Sequence, residues 1–362
     1  MVSVSSPGTQ PPGGSAIEIA GIWKIFGKRA NEALAAAQSE PLGKDEILER
    51  FNCVVGVADA TMSIQPGEIF CVMGLSGSGK STLVRHINRL LEPSAGSIHV
   101  NGEDIMAMGD SALRKYRNEH ISMVFQNFAL MPHRSVIDNI AMPLEIRGVN
   151  KNQRMETAQR TMELVELTQW GNKFAHELSG GMQQRVGLAR ALAADPEILL
   201  MDEPFSALDP LIRRQLQTEF MRLAAGFNKT TVFITHDLDE AVRIGDRISI
   251  MRDGRVIQTG TPADIVMHPA DDYVAEFVAG ISRLKIVKAS AVMQPIEHYE
   301  QQHGALNGEA ACFDESTSLG KLIDASLATN HPLAIVNAHG SRIGAITRTD
   351  LLRIVADGNE AD

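Results

Sequence analysis

Three observations predict an α/β fold built on a largely parallel sheet. From Ile17 onward, short apolar runs alternate with stretches of helical periodicity. Glu68-Ile-Phe-Cys-Val-Met73, Pro196-Glu-Ile-Leu-Leu-Met201 and Thr230-Thr-Val-Phe-Ile-Thr235 read as fully buried strands. Between the first of these and a helical pattern stands Gly74-Leu-Ser-Gly-Ser-Gly-Lys80-Ser81, a glycine-rich turn of the kind that opens a helix. At 362 residues, 44% hydrophobic and 22% charged, the chain has room for two to three domains and a sizeable core.

The elements follow in order. Met1 to Gly14 is rich in Ser, Pro and Gly, without the basic and apolar regions of a signal peptide, so residues 1–16 read as a flexible lead-in. Residues 28–51 are Ala/Glu/Leu-rich and broken at Pro41-Leu-Gly43, which predicts two short helices inserted between strands. After the glycine-rich turn, Leu83, Val84, Ile87, Leu90 and Leu91 share a helical face, and Pro93 stops that helix. Ser97-Ile-His-Val100 with Asn101-Gly102 predicts a hairpin, as does Asp253-Gly254 between Arg247–Met251 and Arg255–Gln258. A polar helical stretch predicts a helical subdomain over residues 127–177. A composition shift near Gly280 opens a last segment, 281–362, with the pattern strand, helix, strand, hairpin, strand, helix, and an acidic solvated tail from Asp357 to Asp362.

Composition excludes several functions. The formal charge of −10 speaks against a nucleic-acid partner. Cys53, Cys71 and Cys312 are far apart and form no CxxC, which fits reduced thiols rather than a disulfide framework or zinc site. No run of 18 apolar residues is present, so no transmembrane helix is expected.

The glycine-rich turn carries the first chemistry. Its glycines let successive N–H groups turn toward phosphate oxygens, and the helix N-terminus adds positive potential. Lys80 is expected to reach the β- and γ-phosphates, and the Ser81 hydroxyl to ligate Mg²⁺. Gly74, Leu75, Ser76, Gly77, Ser78, Gly79 and Thr82 complete the nucleotide-binding stretch. Ile198-Leu-Leu-Met-Asp202-Glu203-Pro204 places two carboxylates at the C-terminal end of a buried strand, where ligands of open parallel sheets bind. Asp202 suits Mg²⁺, through water, and Glu203 is then free as general base; the bland alternative is a pair of acids in a helix's first turn. Leu178-Ser-Gly-Gly-Met-Gln-Gln-Arg185 opens a second helix able to hold an anion at Ser179, Gly180 and Gly181. One phosphate loop does not need a second such end; two molecules closing each other's nucleotide do.

On these strings the chain resembles the nucleotide-binding subunit of ATP-binding-cassette (ABC) transporters, a P-loop NTPase fold with a helical subdomain. The family signature is of the Leu-Ser-Gly-Gly-Gln type; here its fifth residue is Met182. The resemblance, covering 17–280, implies further roles. Gln126, in Met123-Val-Phe-Gln-Asn127, matches the glutamine that senses Mg²⁺ and the attacking water. Asp209, in Ser206-Ala-Leu-Asp209, belongs to the loop crossing the dimer interface, and His236 matches the histidine that contacts the γ-phosphate. A lone histidine at a strand end is otherwise more often structural. For the aromatic that stacks on adenine, Phe26 fits and Trp23 is the alternative; either is equally well a core residue.

More narrowly, Lys44–Glu49, Gln126–His133, Ala207–Arg213 and His236–Ala241 resemble the ATPase subunits of importers for quaternary-amine osmolytes such as glycine betaine, choline, proline and trimethylamine N-oxide. That resemblance implies ATP and Mg²⁺ as cofactors, a homodimer, separate permease subunits, and a periplasmic or extracellular substrate-binding protein. It also implies a place on the cytoplasmic face of the inner membrane. An ABC ATPase for another small cargo, a soluble ABC machine, an exporter subunit and a ligand sensor are the rival readings. The last segment resembles one cystathionine-β-synthase (CBS) module through Gly344-Ala-Ile-Thr347-Arg-Thr-Asp350. There Thr347 and Asp350 either hold a ribose or merely cap the following helix.

Overall fold

The computed structural model describes residues 16–356 except 127, 207, 228, 281, 307–309, 330 and 338. The lead-in up to residue 15, Asn127, Ala207 and the acidic tail therefore lie outside the described residues. Ala16, placed at the end of the lead-in, is instead buried and donates its N–H to the Ile64 carbonyl. Two compact units divide the chain, residues 1–257 and 258–362.

The first unit holds two sheets. One runs Val54–Ile64, Ile17–Phe26, Ala95–Val100, Glu103–Asp104, all antiparallel. The other orders six strands as Arg255–Gly260, Arg247–Arg252, Ile69–Met73, Thr230–Thr235, Ile198–Asp202 and Ile121–Val124. The four pairings from Arg247–Arg252 through to Ile121–Val124 are parallel. Val72, Val232 and Leu200 have no exposed surface, because the two faces of this sheet are both covered. The core between the sheets joins Ile17, Ile22, Phe70, Leu83, Ile98 and Ile234.

The inserted helices appear as expected, Ala30–Ser39 and Lys44–Phe51, packed on the antiparallel sheet through Ala33, Ile47, Val55 and Trp23. The helical subdomain extends beyond the expected limit at 177. Helices Val136–Ile146 and Lys151–Leu164 bury Ile140 and Met162 against Leu178, Val186 and Ala189, so the helix Gly180–Ala193 closes this core. The helix after the glycine-rich turn is shorter than predicted, Lys80–Ile87 rather than running to Pro93. Asn88 Oδ1 accepts the Leu90 N–H and Arg89 takes φ 48°, which turns the chain and leaves Leu90 51% exposed.

The second unit begins at Gln258, earlier than the composition shift at 280. Packing explains the difference: Met267, from the helix Pro262–Met267, joins a core with Val287, Leu319, Leu333 and Ile346. Its sheet orders Gln294–Pro295, Arg342–Ile346, Leu333–Val336 and Cys312–Asp314. The helix Leu319–Ala328 links the two parallel strands of this sheet. The cap read for Thr347 and Asp350 is present. The Thr347 hydroxyl and N–H donate to Asp350 Oδ2 at 2.7 and 2.9 Å, and the Asp350 N–H returns to Thr347 Oγ1 at 3.2 Å. Gln294 Nε2 donates to both Asp350 oxygens at 3.0 Å.

Candidate active site

Loop geometry comes first. Gly74 (φ 150°) and Gly79 (φ 103°) take backbone conformations that L side chains rarely adopt, and a Cβ on either would run into a carbonyl oxygen, of Met251 or Gly56. The turn between them leads into the first turn of the helix Lys80–Ile87. Lys80 is buried, and its ammonium donates to the Gly74 and Leu75 carbonyls at 2.7 and 3.0 Å. Burial pushes the Lys80 amine below its ordinary pKa, partly offset by Glu203 and Asp202. Ser78 Oγ is buried with no hydrogen-bond partner.

Two strands away in the sheet, Asp202 ends the strand Ile198–Asp202 and is 1% exposed. Its Oδ1 accepts from Ser81 Oγ at 2.7 Å and its Oδ2 from Arg85 Nη2 at 3.1 Å. A hydroxyl and a carboxylate side by side are the hard oxygen donors Mg²⁺ prefers, and the residues present fit that ion. No group of three His, Cys, Asp or Glu side chains suited to a metal occurs among the described residues. Such sparse protein ligation suits an ion that keeps waters and phosphate oxygens. When bound, Mg²⁺ supplies positive charge to the phosphate oxygens.

Glu203 follows at φ 46°, and its N–H donates to the Ile234 carbonyl at 3.2 Å. This sharp turn aims its carboxylate past the strand end. There Gln126 Nε2 donates to Glu203 Oε2 at 3.4 Å, and His236 Nδ1 stands 3.3 Å from the same oxygen. Three residues predicted from separate strand ends thus meet at one carboxylate oxygen.

The remaining predicted residues fall elsewhere. Ser179 caps the helix Gly180–Ala193, its hydroxyl accepting the Met182 N–H at 3.4 Å. No hydrogen bond or ion pair joins Ser179, Gly180 or Gly181 to the loop 74–82 among the described residues. Asp209 Oδ1 accepts the Leu211 and Ile212 N–H groups at 3.0 and 3.1 Å, capping the helix Pro210–Phe227. Of the two aromatics, Trp23 is in the core under the inserted helices, with the Arg255 guanidinium 5.7 Å from its ring. Phe26 is 41% exposed, and a Cβ on Gly56 would come within 2.7 Å of Phe26 Cε2 and 3.3 Å of Thr82 Cγ2. Of the two, Phe26 is the exposed one beside the loop, with the Lys24 ammonium 5.2 Å from its ring centroid.

Sequence reasoning missed Arg85 and Arg213. Arg85 lies four residues after Ser81 on the same helix face, and that spacing was the available signal. Arg213 donates to the carbonyls of Phe205, Ser206 and Leu208 and pairs with Asp237 at 3.5 Å, so it ties the segment after Glu203 to the segment after His236. No local pattern announces such a set of carbonyl contacts.

The "ABC transporter" family model matches residues 57–206. The glycine betaine/proline betaine transport system ATP-binding protein of Escherichia coli (strain K12) is 50% identical over 276 residues, 76% of this chain and 69% of that one. The glycine betaine transport ATP-binding protein of Bacillus subtilis (strain 168) is 40% identical over 390 residues, 95% and 93% of the two chains. A trimethylamine N-oxide transport system ATP-binding protein of Ruegeria pomeroyi is 43% identical over 343 residues, 95% and 98%. Among solved structures, a dimeric ATP-binding cassette in a post-hydrolysis state with ADP and Pi aligns with a TM-score of 0.58 at 29% identity. It covers 68% of this chain and 98% of that one.

Proposed function

The chain belongs to the ATP-binding subunits of ABC transporters and is an ATPase, and from that premise we propose that it powers import of a quaternary-amine type osmolyte through a separate permease. The cargo class rests on the relatives' names: glycine betaine, proline betaine and trimethylamine N-oxide. The observation carrying the catalytic reading is the convergence of Gln126 and His236 on Glu203 Oε2, beside the Ser81–Asp202 pair.

In this reading Glu203 takes the proton of the attacking water, while Gln126 and His236 hold that carboxylate and the water in line. Lys80 leaves the Gly74 and Leu75 carbonyls for the β- and γ-phosphates, and Ser81 and Asp202 hold Mg²⁺. Phe26 stacks on adenine. Ser179, Gly180 and Gly181 address the nucleotide of a second copy in a homodimer. Asp209 lies on the loop between the two copies. No helix among the described residues is long and apolar enough to cross a membrane; in this reading the permease is a separate polypeptide. The chain works at that permease's cytoplasmic face, and a substrate-binding protein presents the solute on the far side.

Glu203→Gln is expected to bind ATP and dimerise but to hydrolyse it about 10²–10³-fold more slowly, because an amide takes no proton. Turnover near wild type in the purified complex removes Glu203 from the role of base. The cargo is tested by uptake: cells lacking other osmolyte importers, given this chain with its permease and binding protein, are offered labelled glycine betaine, choline, proline and trimethylamine N-oxide. Uptake of one, lost in Glu203→Gln, is the expected outcome. Intact ATPase with no uptake of any of them refutes the osmolyte assignment and favours a different small-molecule cargo.

A further inference from the structure

Arg190 lies ten residues into the helix Gly180–Ala193 and is 7% exposed. No acidic side chain offsets its charge among the described residues. Its two terminal nitrogens instead donate to backbone carbonyls, Nη1 to Ala129 at 2.6 Å and Nη2 to Phe128 at 2.7 Å. A buried guanidinium satisfied only by carbonyls is a costly way to staple a helix to a loop, and an apolar side chain would normally serve. The loop it holds is unusual too. Phe128 and Ala129 both have positive φ, 55° and 47°, a conformation neither residue prefers.

What this loop carries explains the arrangement. The Phe128 N–H donates to the Phe125 carbonyl at 3.1 Å, closing a turn that contains Gln126. On its N-terminal side the turn is anchored by the sheet, since Val124 pairs with Met201 one residue before Asp202. On its C-terminal side the two bonds from Arg190 hold Phe128 and Ala129, and Asn139 holds Met131 two residues further on. The planar fork of an arginine holds two neighbouring carbonyls in one fixed geometry, whereas a lysine presents a single rotatable ammonium on a flexible stem.

We infer that Arg190 is a positioning residue for Gln126, tying the Gln126 turn to the helix headed by Ser179, Gly180 and Gly181. Movement of that helix shifts the Gln126 amide relative to Glu203. Because Ser179–Gly181 face the partner's nucleotide in the reading above, engagement of one ATP is mechanically linked to water activation at the other. That last step rests on the proposed function; the local role of Arg190 does not.

A double-mutant cycle tests the inference on the full chain in complex with its permease. Arg190→Met is expected to lower kcat about tenfold, with the KM for ATP and binding of a fluorescent ATP analogue within about twofold of wild type. In a Gln126→Ala background the same change should cost less than about twofold, because the group it positions is gone. Arg190→Lys recovers part of the loss, one carbonyl being held. Losses that multiply across the cycle overturn the inference, as does weakened ATP binding at unchanged kcat. Should Arg190→Met not fold, the cycle is run with Arg190→Lys and judged by the same criterion. Glu203→Gln is measured alongside: near-wild-type turnover there sinks the catalytic reading, whereas slow turnover with multiplying losses sinks only the role of Arg190.

Discussion

At the scale of single residues, the site is governed by which polar groups find partners once they leave water. Asp202 is buried, yet both of its oxygens are engaged by Ser81 and Arg85, so removing either partner leaves an exposed-to-nothing charge that costs more than one hydrogen bond. Glu240 is the opposite case. Burial pushes its carboxyl above the ordinary value of 4.5, and hydrogen bonds from Thr235 and Gln217 only partly offset this. A carboxyl whose folded-state pKa is raised contributes stability below about pH 4.5 and loses it as pH rises through the raised value. Glu240→Gln keeps an oxygen to accept from Gln217 Nε2, 2.8 Å away in the wild type, and cannot ionise. The melting temperature of the wild type should therefore fall relative to the variant between pH 4.5 and 7. Parallel curves across that window would show that burial of this charge is not what sets the pH dependence.

Among elements, the glycine-rich turn shows how backbone sterics and chemistry coincide. Gly79 takes φ 103° and its α-carbon faces the Gly56 carbonyl of the neighbouring strand. Gly79→Ala meets both obstacles, and is expected to destabilise the first unit by about 1–3 kcal/mol and to abolish Mg-ATP binding, read by thermal melts with and without nucleotide. Retained ATP binding would mean the turn is held less tightly than its φ values imply. The inserted helix pair is legible from composition alone, because its Ala, Glu and Leu residues interrupt a strand pattern. That it covers Trp23 and leaves Phe26 open is not legible, since both aromatics sit in the same strand and only packing distinguishes them. Helix length misled in the same way: Leu90 keeps the helical period, but the left-handed Arg89 has already turned the chain.

For the whole molecule, the division at 257/258 separates two cores, one around Phe70, Leu83 and Ile234 and one around Val287, Leu319 and Ile346. Units with separate cores unfold separately unless their interface is large. Calorimetry of the full chain should show two transitions, of which Mg-ATP raises one. At a hundredfold excess over Kd that rise corresponds to about 2.7 kcal/mol. A chain ending at Gly260 should lose the nucleotide-insensitive transition and keep the other. A single transition raised as a whole by ATP would mean the two units fold as one.

The sequence by itself determined the fold class, the glycine-rich turn and the Asp202-Glu203 pair at a strand end, while Gln126 and His236 entered as candidates only through the family resemblance. The first three are local matters: periodicity reports burial, and short motifs report backbone geometry within a few residues. Only the tertiary structure decided that Gln126, Glu203 and His236 share one oxygen, that Arg85 completes Asp202, and that Arg190 holds the turn beside Gln126. It also decided that Phe26 rather than Trp23 is open, that Thr347 and Asp350 cap each other, and that the second unit begins at Gln258. Each of those depends on contacts between residues far apart in the chain, and such contacts are set by how strands register and helices pack, which leaves no periodic trace in the sequence.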